Sequence, residues 1–390
     1  MSGLTEAITL AQLDDDPYPV YAQLRDREPV AWVPVLNAWF VTRWHDVRRV
    51  AEHPESFTTA NTRSPLAQYC GVQNILLQEG DQHADTRASV DDRFARPAPA
   101  TVSADVRKLA AERLRLLSGR DEADLMTEYF EPVTVAALGR FLGLDGIEPT
   151  LLAHWSTALT DALYNPAQDP ARAAAGTAAS GDIDEVVGTR LRELSARPDD
   201  SVLSRLLHSG CPGRLPRPVP EALATLKMMF SALREPSWLA GNTLYALLTH
   251  PDQLAALRAD PALLGAAVHE GTRWGAPVGA IGRTAVKDVV LGGVGIPAGA
   301  TVLSAVASAN RDASVFSSGE TFDLHRTPTP HLTLGYGRHG CLAAGIVPRV
   351  VEAALSVLLS DGPQELRMTS DTRPSGWKFR KMPTVRVAWH

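Results

Sequence analysis

A cysteine-containing turn near the end of the chain constrains the fold more than any other feature. The stretch HLTLGYGRHGCLAAGIVPR, residues 331–349, places Gly335, Gly337 and Gly340 in the spacing G-x-G-x-x-G, directly before Cys341. Glycines at this spacing form the phosphate-binding turn of dinucleotide-binding folds. The same glycines would let the backbone approach a flat ligand beside a thiol. The turn is therefore compatible with two different chemistries.

The position of the turn argues against dinucleotide binding. Such a fold continues beyond the turn into further strands of a parallel sheet. After Gly340, the 390-residue chain has room for one helix and a short tail. The acidic residue about twenty positions on, Asp361, belongs to an Asp-Gly turn and does not end a β-run. Cys341 is then either a metal ligand or a buried structural cysteine. If it is a ligand, the amino-terminal end of the following helix would lower the pKa of its thiol.

The remaining pattern is mainly helical. Residues 30–44 predict a β-hairpin around Asn37, and residues 284–305 predict further strands. Apolar residues at three- and four-residue intervals predict helices over 84–95, 104–117, 123–142, 170–196, 219–249, 262–274 and 342–360. The proline-rich segment 211–220 predicts a loop. We expect a mainly α fold with a small β region, formed by a single domain over residues 1–390.

Charge and hydropathy exclude several classes of partner. The net charge of −6, from 38 basic and 44 acidic residues, gives no basic excess for binding nucleic acid. Residues 1–20 lack the features of a secretory signal, and the uncharged stretch 237–250 is too short to span ~30 Å of bilayer. The wide separation of Cys70, Cys211 and Cys341 predicts neither a disulfide framework nor a zinc cluster. We expect a cytoplasmic monomer that binds neither nucleic acid nor membranes.

The cysteine turn resembles the haem-binding loop of cytochrome P450 enzymes. That loop follows the pattern Phe-Gly-x-Gly-x-His/Arg-x-Cys-x-Gly/Ala, which residues 334–343 match at every position except the first, where Leu334 replaces Phe. The resemblance implies a haem b cofactor with Cys341 as the iron ligand and with Leu334 and Gly335 beside it. The missing Phe would change the tuning of the iron more than the binding of haem.

A buried ion network is implied by two further segments that match the family in order. Glu270 and Arg273 match the E-x-x-R pattern of its K helix, and their spacing puts both side chains on one helix face. Residues 309–326 resemble the segment called the meander, and the resemblance implies that Arg326 is the third member of the network.

Four basic residues match the positions that hold the haem propionates in this family. His83 and Arg87 have the H-x-x-x-R spacing of its C helix, Arg283 follows the K helix, and His339 belongs to the cysteine turn. Four donors directed at two carboxylates are chemically consistent with this role.

The helix expected on the opposite side of the haem departs from the family pattern. The usual Ala-Gly-x-Asp/Glu-Thr-Thr is here Ala232-Leu233-Arg234-Glu235-Pro236-Ser237. The threonine that normally directs protons to bound oxygen is thus Pro236. A proline inside a helix would free the carbonyl of Ala232, so we expect protons to arrive through Glu235, Ser237 or a water at that carbonyl. A helix kink with no chemical role is the alternative.

The substrate pocket is predicted less specifically. Arg234 either meets a substrate carboxylate or pairs with an acid on the protein surface, and we favour the surface pair because no other cation clusters with it. The other candidate pocket residues are Ile75, Leu76, Leu163, Tyr164, Val278, Ala280 and Trp377. Their apolar and small side chains are compatible with many ligands.

Three functions follow from the resemblance. The first is a bacterial monooxygenase that hydroxylates or O-dealkylates a small-to-medium organic molecule, with O₂ and electrons from a ferredoxin and its reductase, in biosynthesis or catabolism. The second is an atypical haem-thiolate enzyme that uses peroxide, or couples or rearranges substrates without inserting oxygen. The third is a haem sensor or a non-catalytic recruitment domain. Because the expected proximal face carries Arg93, Arg96, Arg338 and Arg349, we expect an acidic ferredoxin as the electron donor.

Overall fold

The computed structural model describes residues 3–95, 98–208, 216–363 and 365–389, and its helices confirm the mainly α prediction. The helices are α1 (Gly3–Glu6), α2 (Leu10–Asp15), α3 (Tyr18–Arg27), α4 (Trp44–Glu52), α5 (Pro65–Cys70), α6 (Gly80–Ala95), α7 (Ala98–Leu117), α8 (Glu131–Leu142), α9 (Pro149–Leu163), α10 (Pro170–Ala196), α11 (Val202–His208), α12 (Val219–Ser231), α13 (Glu235–Thr249), α14 (Pro251–Ala259), α15 (Leu264–Trp274), α16 (Val306–Ala309) and α17 (Val347–Asp361). The strands are β1 (Val30–Val33), β2 (Ala38–Val41), β3 (Phe57–Thr58), β4 (Glu122–Asp124), β5 (Ile281–Ala285), β6 (Val289–Leu291), β7 (Val294–Ile296), β8 (Thr301–Ser304) and β9 (Arg386–Ala388).

The small β region contains the predicted hairpin. β1 and β2 pair antiparallel with Val30 opposite Val41, and Asn37 makes the turn with a left-handed φ of 48°. These strands belong to a five-stranded sheet in the order β1-β2-β8-β5-β3. β6 pairs with β7, and β4 pairs with β9 near the end of the chain.

The predicted distal helix over 219–249 is two helices. α12 ends at Ser231 and α13 begins at Glu235, so Pro236 lies in the first turn of a new helix and not in a helix interior. A proline is tolerated there because the first-turn N–H groups have no partner within a helix. The chain therefore accommodates Pro236 by breaking the helix.

Other boundaries also differ from the prediction. The helix expected over 342–360 begins only at Val347, and the segment 123–142 starts with β4 and a π-helical turn at Met126–Phe130. α9, which packs against α8 and α10, was not predicted. Of the predicted loop 211–220, residues 211–215 lie outside the described residues.

The main hydrophobic core surrounds the distal helices. α13 packs against α15 and α17, while α12 packs against α9 and α10. The buried cluster between these helices includes Trp155, Phe230 and Trp238. This packing fixes the break between α12 and α13 relative to the cysteine turn. Among the described residues, each helix is too short or too polar to cross a membrane.

Candidate functional site

A mostly apolar cavity lies between the α12–α13 break and the cysteine turn. Eleven of the predicted site residues line it: Ile75, Leu76, His83, Arg87, Ala232, Glu235, Pro236, Val278, Leu334, His339 and Cys341. Sequence reasoning missed several apolar wall residues, among them Met228, Met229 and Leu239 of α12 and α13. Met228 and Met229 lie four and three residues before the predicted Ala232, and Leu239 lies four residues after the predicted Glu235. This helical spacing from predicted site residues is the signal that could have identified them.

Five predicted pocket residues lie outside the cavity lining, namely Arg234, whose contacts are described below, and Leu163, Tyr164, Ala280 and Trp377. Tyr164 and Trp377 contact each other with ring centroids 5.7 Å apart, and the Trp377 indole N–H donates to the Tyr164 hydroxyl. Ala280 and Trp377 are buried in a separate apolar cluster, and Leu163 packs against the main core. These four side chains therefore pack in or against the core and do not line the cavity, which corrects the prediction.

The cysteine turn is closed by its own backbone. Gly335 and Gly337 have φ angles of 72° and 69°, which favour glycine, and a Cβ on Gly337 would lie 3.0 Å from the Ala51 carbonyl oxygen. The Cys341 N–H donates to the Leu334 carbonyl at 2.7 Å. The glycines therefore form the turn that presents Cys341 to the cavity.

The electrostatic environment of Cys341 differs from the prediction. α17 begins at Val347, so Cys341 is not at its first turn and its N-terminus does not act on the thiol as expected. Burial raises the pKa of the Cys341 thiol to about 11, and a hydrogen bond from the Ala343 backbone opposes this shift. The sulfur forms no disulfide. It is available as a ligand for a metal bound in the cavity.

Basic donors cluster beside the cysteine turn. The rings of His83 and His339 have centroids 4.4 Å apart, and Arg87 donates to the Gly340 carbonyl at 2.6 Å and to Asp91 at 2.7 Å. The buried Nδ1 of His339 has no hydrogen-bond partner. A free thiol, an apolar cavity and an unpaired donor site among basic residues fit a haem with two carboxylates.

Arg283 takes a less direct position than predicted. It does not line the cavity, and its guanidinium donates to the carbonyl of its neighbour Gly282 at 2.8 Å. Its charge nevertheless lies close enough to help lower the pKa of His339, which burial chiefly depresses to about 4. The structure thus groups His83, Arg87 and His339 directly and Arg283 at their periphery.

Glu79 is a member of this cluster that sequence reasoning missed. Its Oε1 accepts from the Thr59 backbone N–H and from the hydroxyls of Thr58 and Thr59, while Oε2 lies 3.3 Å from His339 Nε2 and 3.7 Å from Arg338. Burial raises the pKa of Glu79, but these hydrogen bonds outweigh it and lower the pKa to about 2. Glu79 is therefore an ionised residue that fixes His339 from the side away from its free Nδ1.

The distal side offers fewer proton routes than the sequence predicted. Pro236 does not leave the Ala232 carbonyl without a partner as predicted, because that carbonyl accepts from the Glu235 N–H at 3.1 Å. The Ser237 hydroxyl donates to the Arg234 carbonyl at 2.6 Å and does not line the cavity. Of the described acidic residues, Glu235 lines the cavity, and burial raises the pKa of its carboxyl to about 8.

Arg234 points away from the cavity. Its guanidinium donates to Glu131 at 2.6 Å and to the Thr157 hydroxyl at 2.7 Å, and neither partner lines the cavity. The pairing agrees with the ion pair favoured from the sequence, although this pair is largely buried. Contact between Arg234 and a substrate carboxylate in the cavity is not compatible with this orientation.

Glu270, Arg273 and Arg326 form one buried group, as the resemblance implied. Arg273 donates to Glu270 through two bonds of 2.6 and 2.7 Å, and Arg326 donates to the same carboxylate at 3.1 Å. Both arginines also donate to backbone carbonyls, including that of Thr321, in the segment before the cysteine turn. The network therefore connects α15 to the segment that supports the site.

Comparison with known proteins is consistent with this geometry. The family model "Cytochrome P450" matches residues 251–346. The chain is 31% identical over 387 residues to cytochrome P450 monooxygenase PikC of Streptomyces venezuelae, covering 95% of this chain and 89% of that protein. It is 28% identical to 6-deoxyerythronolide B hydroxylase of Saccharopolyspora erythraea, over 89% of both chains. The structure of CalO2 superposes with a TM-score of 0.89 at 25% identity, covering 100% of this chain and 98% of that one.

Proposed function

The chain belongs to the cytochrome P450 family, and from this premise we propose that it hydroxylates or O-dealkylates a small-to-medium organic molecule, using O₂ and electrons from a ferredoxin. Monooxygenase activity follows from the family. The observation that carries the finer proposal is the placement of Cys341 and Glu235 on one apolar cavity. Haem b, when bound there, would supply reductive activation of O₂, which a cysteine thiolate ligand favours by donating electron density.

Different residues of the chain would hold the haem, bind the substrate and hold a proton. Cys341 would ligate the iron, and His83, Arg87 and His339 would hold the propionates, with Arg283 nearby. The apolar walls around Met229 and Leu239 bind substrate by burying its apolar surface and exclude bulk water. Glu235 holds a proton at its carboxyl oxygen, because burial keeps the carboxyl neutral up to a pH of about 8.

The function is tested by comparing two oxidant systems on one panel of small apolar compounds. We expect oxygenated product with O₂, a reductase and a ferredoxin, and little product with hydrogen peroxide alone. Incorporation of ¹⁸O from labelled O₂ identifies a monooxygenase. Product formation with peroxide alone would support the atypical haem-thiolate enzyme, and haem binding without any product would support a sensor.

Glu235→Gln should lower product formation by at least about tenfold with a neutral substrate, because an amide cannot deliver a proton as a carboxylic acid does. Haem content and binding of the neutral substrate should remain, and the electrons should appear as hydrogen peroxide. In the native enzyme, coupling should fall as the pH rises through about 8, since the raised pKa leaves the proton on Glu235 only below that value. Coupling is measured as product per electron consumed.

Glu221→Gln is the matched control for this substitution. Glu221 lies in the first turn of α12 and does not line the cavity. It should keep native coupling and the native pH profile. Unchanged coupling in Glu235→Gln would mean that protons reach the oxygen by a route independent of this carboxyl.

Electron transfer from an acidic ferredoxin should slow as the salt concentration rises. Arg338 and Arg349 are exposed, while Arg93 is partly covered; Arg96 lies outside the described residues. Arg93, Arg338 and Arg349 each lie within 4.0 Å of a carboxylate, which partly neutralises their charge. We therefore expect the rate of electron transfer to fall by about tenfold, at the low end of the ~10–10³-fold range of electrostatic steering. Stopped-flow reduction at Debye lengths from ~30 to ~10 Å measures it.

The control for this prediction is an exposed arginine whose ion-pair partner lies in α2, an element that carries none of these arginines. Arg349→Gln should reduce the salt dependence, whereas Arg373→Gln, which removes the pair with Asp15, should not. A rate that does not change with salt would exclude an electrostatically steered donor.

A further inference from the structure

Among the described residues, Glu235 provides the carboxyl group that lines the cavity, and the immediate surroundings of this group are apolar. The neighbouring lining residues of α12, α13 and the break between them are Met229, Ala232, Leu233, Pro236 and Leu239. The other described titratable residues of the lining are His83, Arg87, His339 and Cys341, which belong to the haem side of the site. No described residue forms a hydrogen bond or ion pair with the Glu235 carboxyl.

The local backbone explains why Glu235 lacks a partner. Pro236 offers neither an N–H nor a hydroxyl, and the Ser237 hydroxyl is used by the Arg234 carbonyl. The Arg234 guanidinium is held outside the cavity by Glu131 and Thr157. A hydrogen-bonding or charged partner for the carboxyl must therefore be water or a molecule that enters the cavity.

The chemistry of the carboxyl selects among such molecules. Folding has already removed most of its hydration, so binding does not add that desolvation cost. In a low-dielectric cavity, a positive charge interacts more strongly with a carboxylate than an uncharged hydrogen-bonding group does. The cavity is otherwise apolar, which suits a hydrophobic molecule with one cationic group.

We propose that the substrate carries a basic nitrogen whose positive charge pairs with Glu235 while its apolar part fills the cavity. This inference rests on the proposed function, because it takes the cavity facing Cys341 to be the substrate cavity. A protonated tertiary amine also brings an exchangeable proton to the carboxylate, so pairing does not remove the proton from this side of the cavity.

The test compares two ligands of the same shape that differ in charge. One is a phenylalkyl trimethylammonium ion and the other is its uncharged tert-butyl isostere. The quaternary nitrogen neither titrates nor ligates iron. Binding to the haem-containing enzyme is measured at equilibrium by optical titration at pH 7 and pH 9.

The affinity for the cation should rise about tenfold between pH 7 and pH 9, and the affinity for the isostere should not change. A carboxyl with its pKa raised to about 8 is ionised to roughly one tenth at pH 7 and nine tenths at pH 9. Burial lowers the pKa of both His83 and His339, so both stay neutral over this interval. Arg283, whose pKa burial lowers to about 10, remains mainly charged.

Two variants complete the test. Glu235→Gln should abolish the pH dependence and reduce the affinity for the cation at least tenfold at pH 9, while Glu221→Gln should preserve both. Equal pH dependence for the two ligands would overturn this inference, and so would a cation affinity that is unchanged in Glu235→Gln. If the isostere still binds and is oxidised, either result leaves the proposed function intact. If neither ligand changes the spectrum and neither is oxidised, the proposed function fails as well.

Discussion

Replacing Cys341 with serine should abolish the red-shifted absorption band that the reduced carbon monoxide complex of a thiolate-ligated haem shows. Only a thiolate donates enough electron density to the iron to produce that band, and a serine hydroxyl does not replace it. Of the described cysteines, Cys341 lines the cavity, and its backbone N–H donates a hydrogen bond to the Leu334 carbonyl at 2.7 Å. We expect the substitution to remove monooxygenase turnover as well.

Cys70→Ala is the matched control. Cys70 is buried at the end of α5, forms no disulfide and does not line the cavity. This variant should keep the band in full. Far-UV circular dichroism of both variants shows whether the fold persists. A red-shifted band that survives in a folded Cys341→Ser protein would assign the iron to a different ligand.

The sequence predicted the site best where several residue types are needed at once. Cys341, His339 and the left-handed Gly335 and Gly337 depend on each other within one turn, so the motif itself specifies their arrangement. The predicted pocket residues Tyr164 and Trp377 depend on distant packing, and the structure shows them in contact with each other. Apolar composition cannot distinguish a side chain that lines a cavity from one that fills the core.

The helix break at Pro236 shows the same limit at the level of the backbone. The sequence contains the proline, but a kinked helix and a new helix start are both consistent with it. In the structure, Arg234 contacts Glu131 of α8 and Thr157 of α9, whereas the next residue, Glu235, lines the cavity. These long-range contacts are not visible in the local sequence, so the direction of the acid could not be predicted from it.

Glu79 could not be predicted as part of the site for a related reason. It lies four residues before His83, yet its carboxylate is fixed by Thr58 and Thr59 and reaches His339 from a distant part of the sequence. Such a contact requires α6, β3 and the cysteine turn to be assembled first. The resemblance to the family predicted the donors for the haem carboxylates. It did not predict Glu79, the acid that contacts one of these donors, His339.

Glu270→Ala should destabilise the protein by about 3–5 kcal/mol, because it leaves the charge of Arg273 buried without its carboxylate. The side chains of Glu270 and Arg273 are 3% and 1% exposed, so water cannot replace the lost partner. Glu270 also accepts from Arg326 and from the Asp323 backbone N–H. A loss of this size approaches the whole stability of many proteins, which is ~5–15 kcal/mol. Low soluble yield and poor haem incorporation should follow.

Glu193→Ala provides the control, because Glu193 also pairs with an arginine, Arg190, but these two side chains are 54% and 45% exposed. Exposed ion pairs contribute ~0–1 kcal/mol, so this variant should differ from the native protein by about 1 kcal/mol or less. Urea denaturation followed by circular dichroism and by haem absorbance measures both variants. If Glu270→Ala unfolds like Glu193→Ala and binds haem normally but loses turnover, the network acts in the reaction and not in stability. If the two variants differ as expected, burial and not the presence of an ion pair alone determines how strongly the α15 network stabilises the segment that carries Cys341.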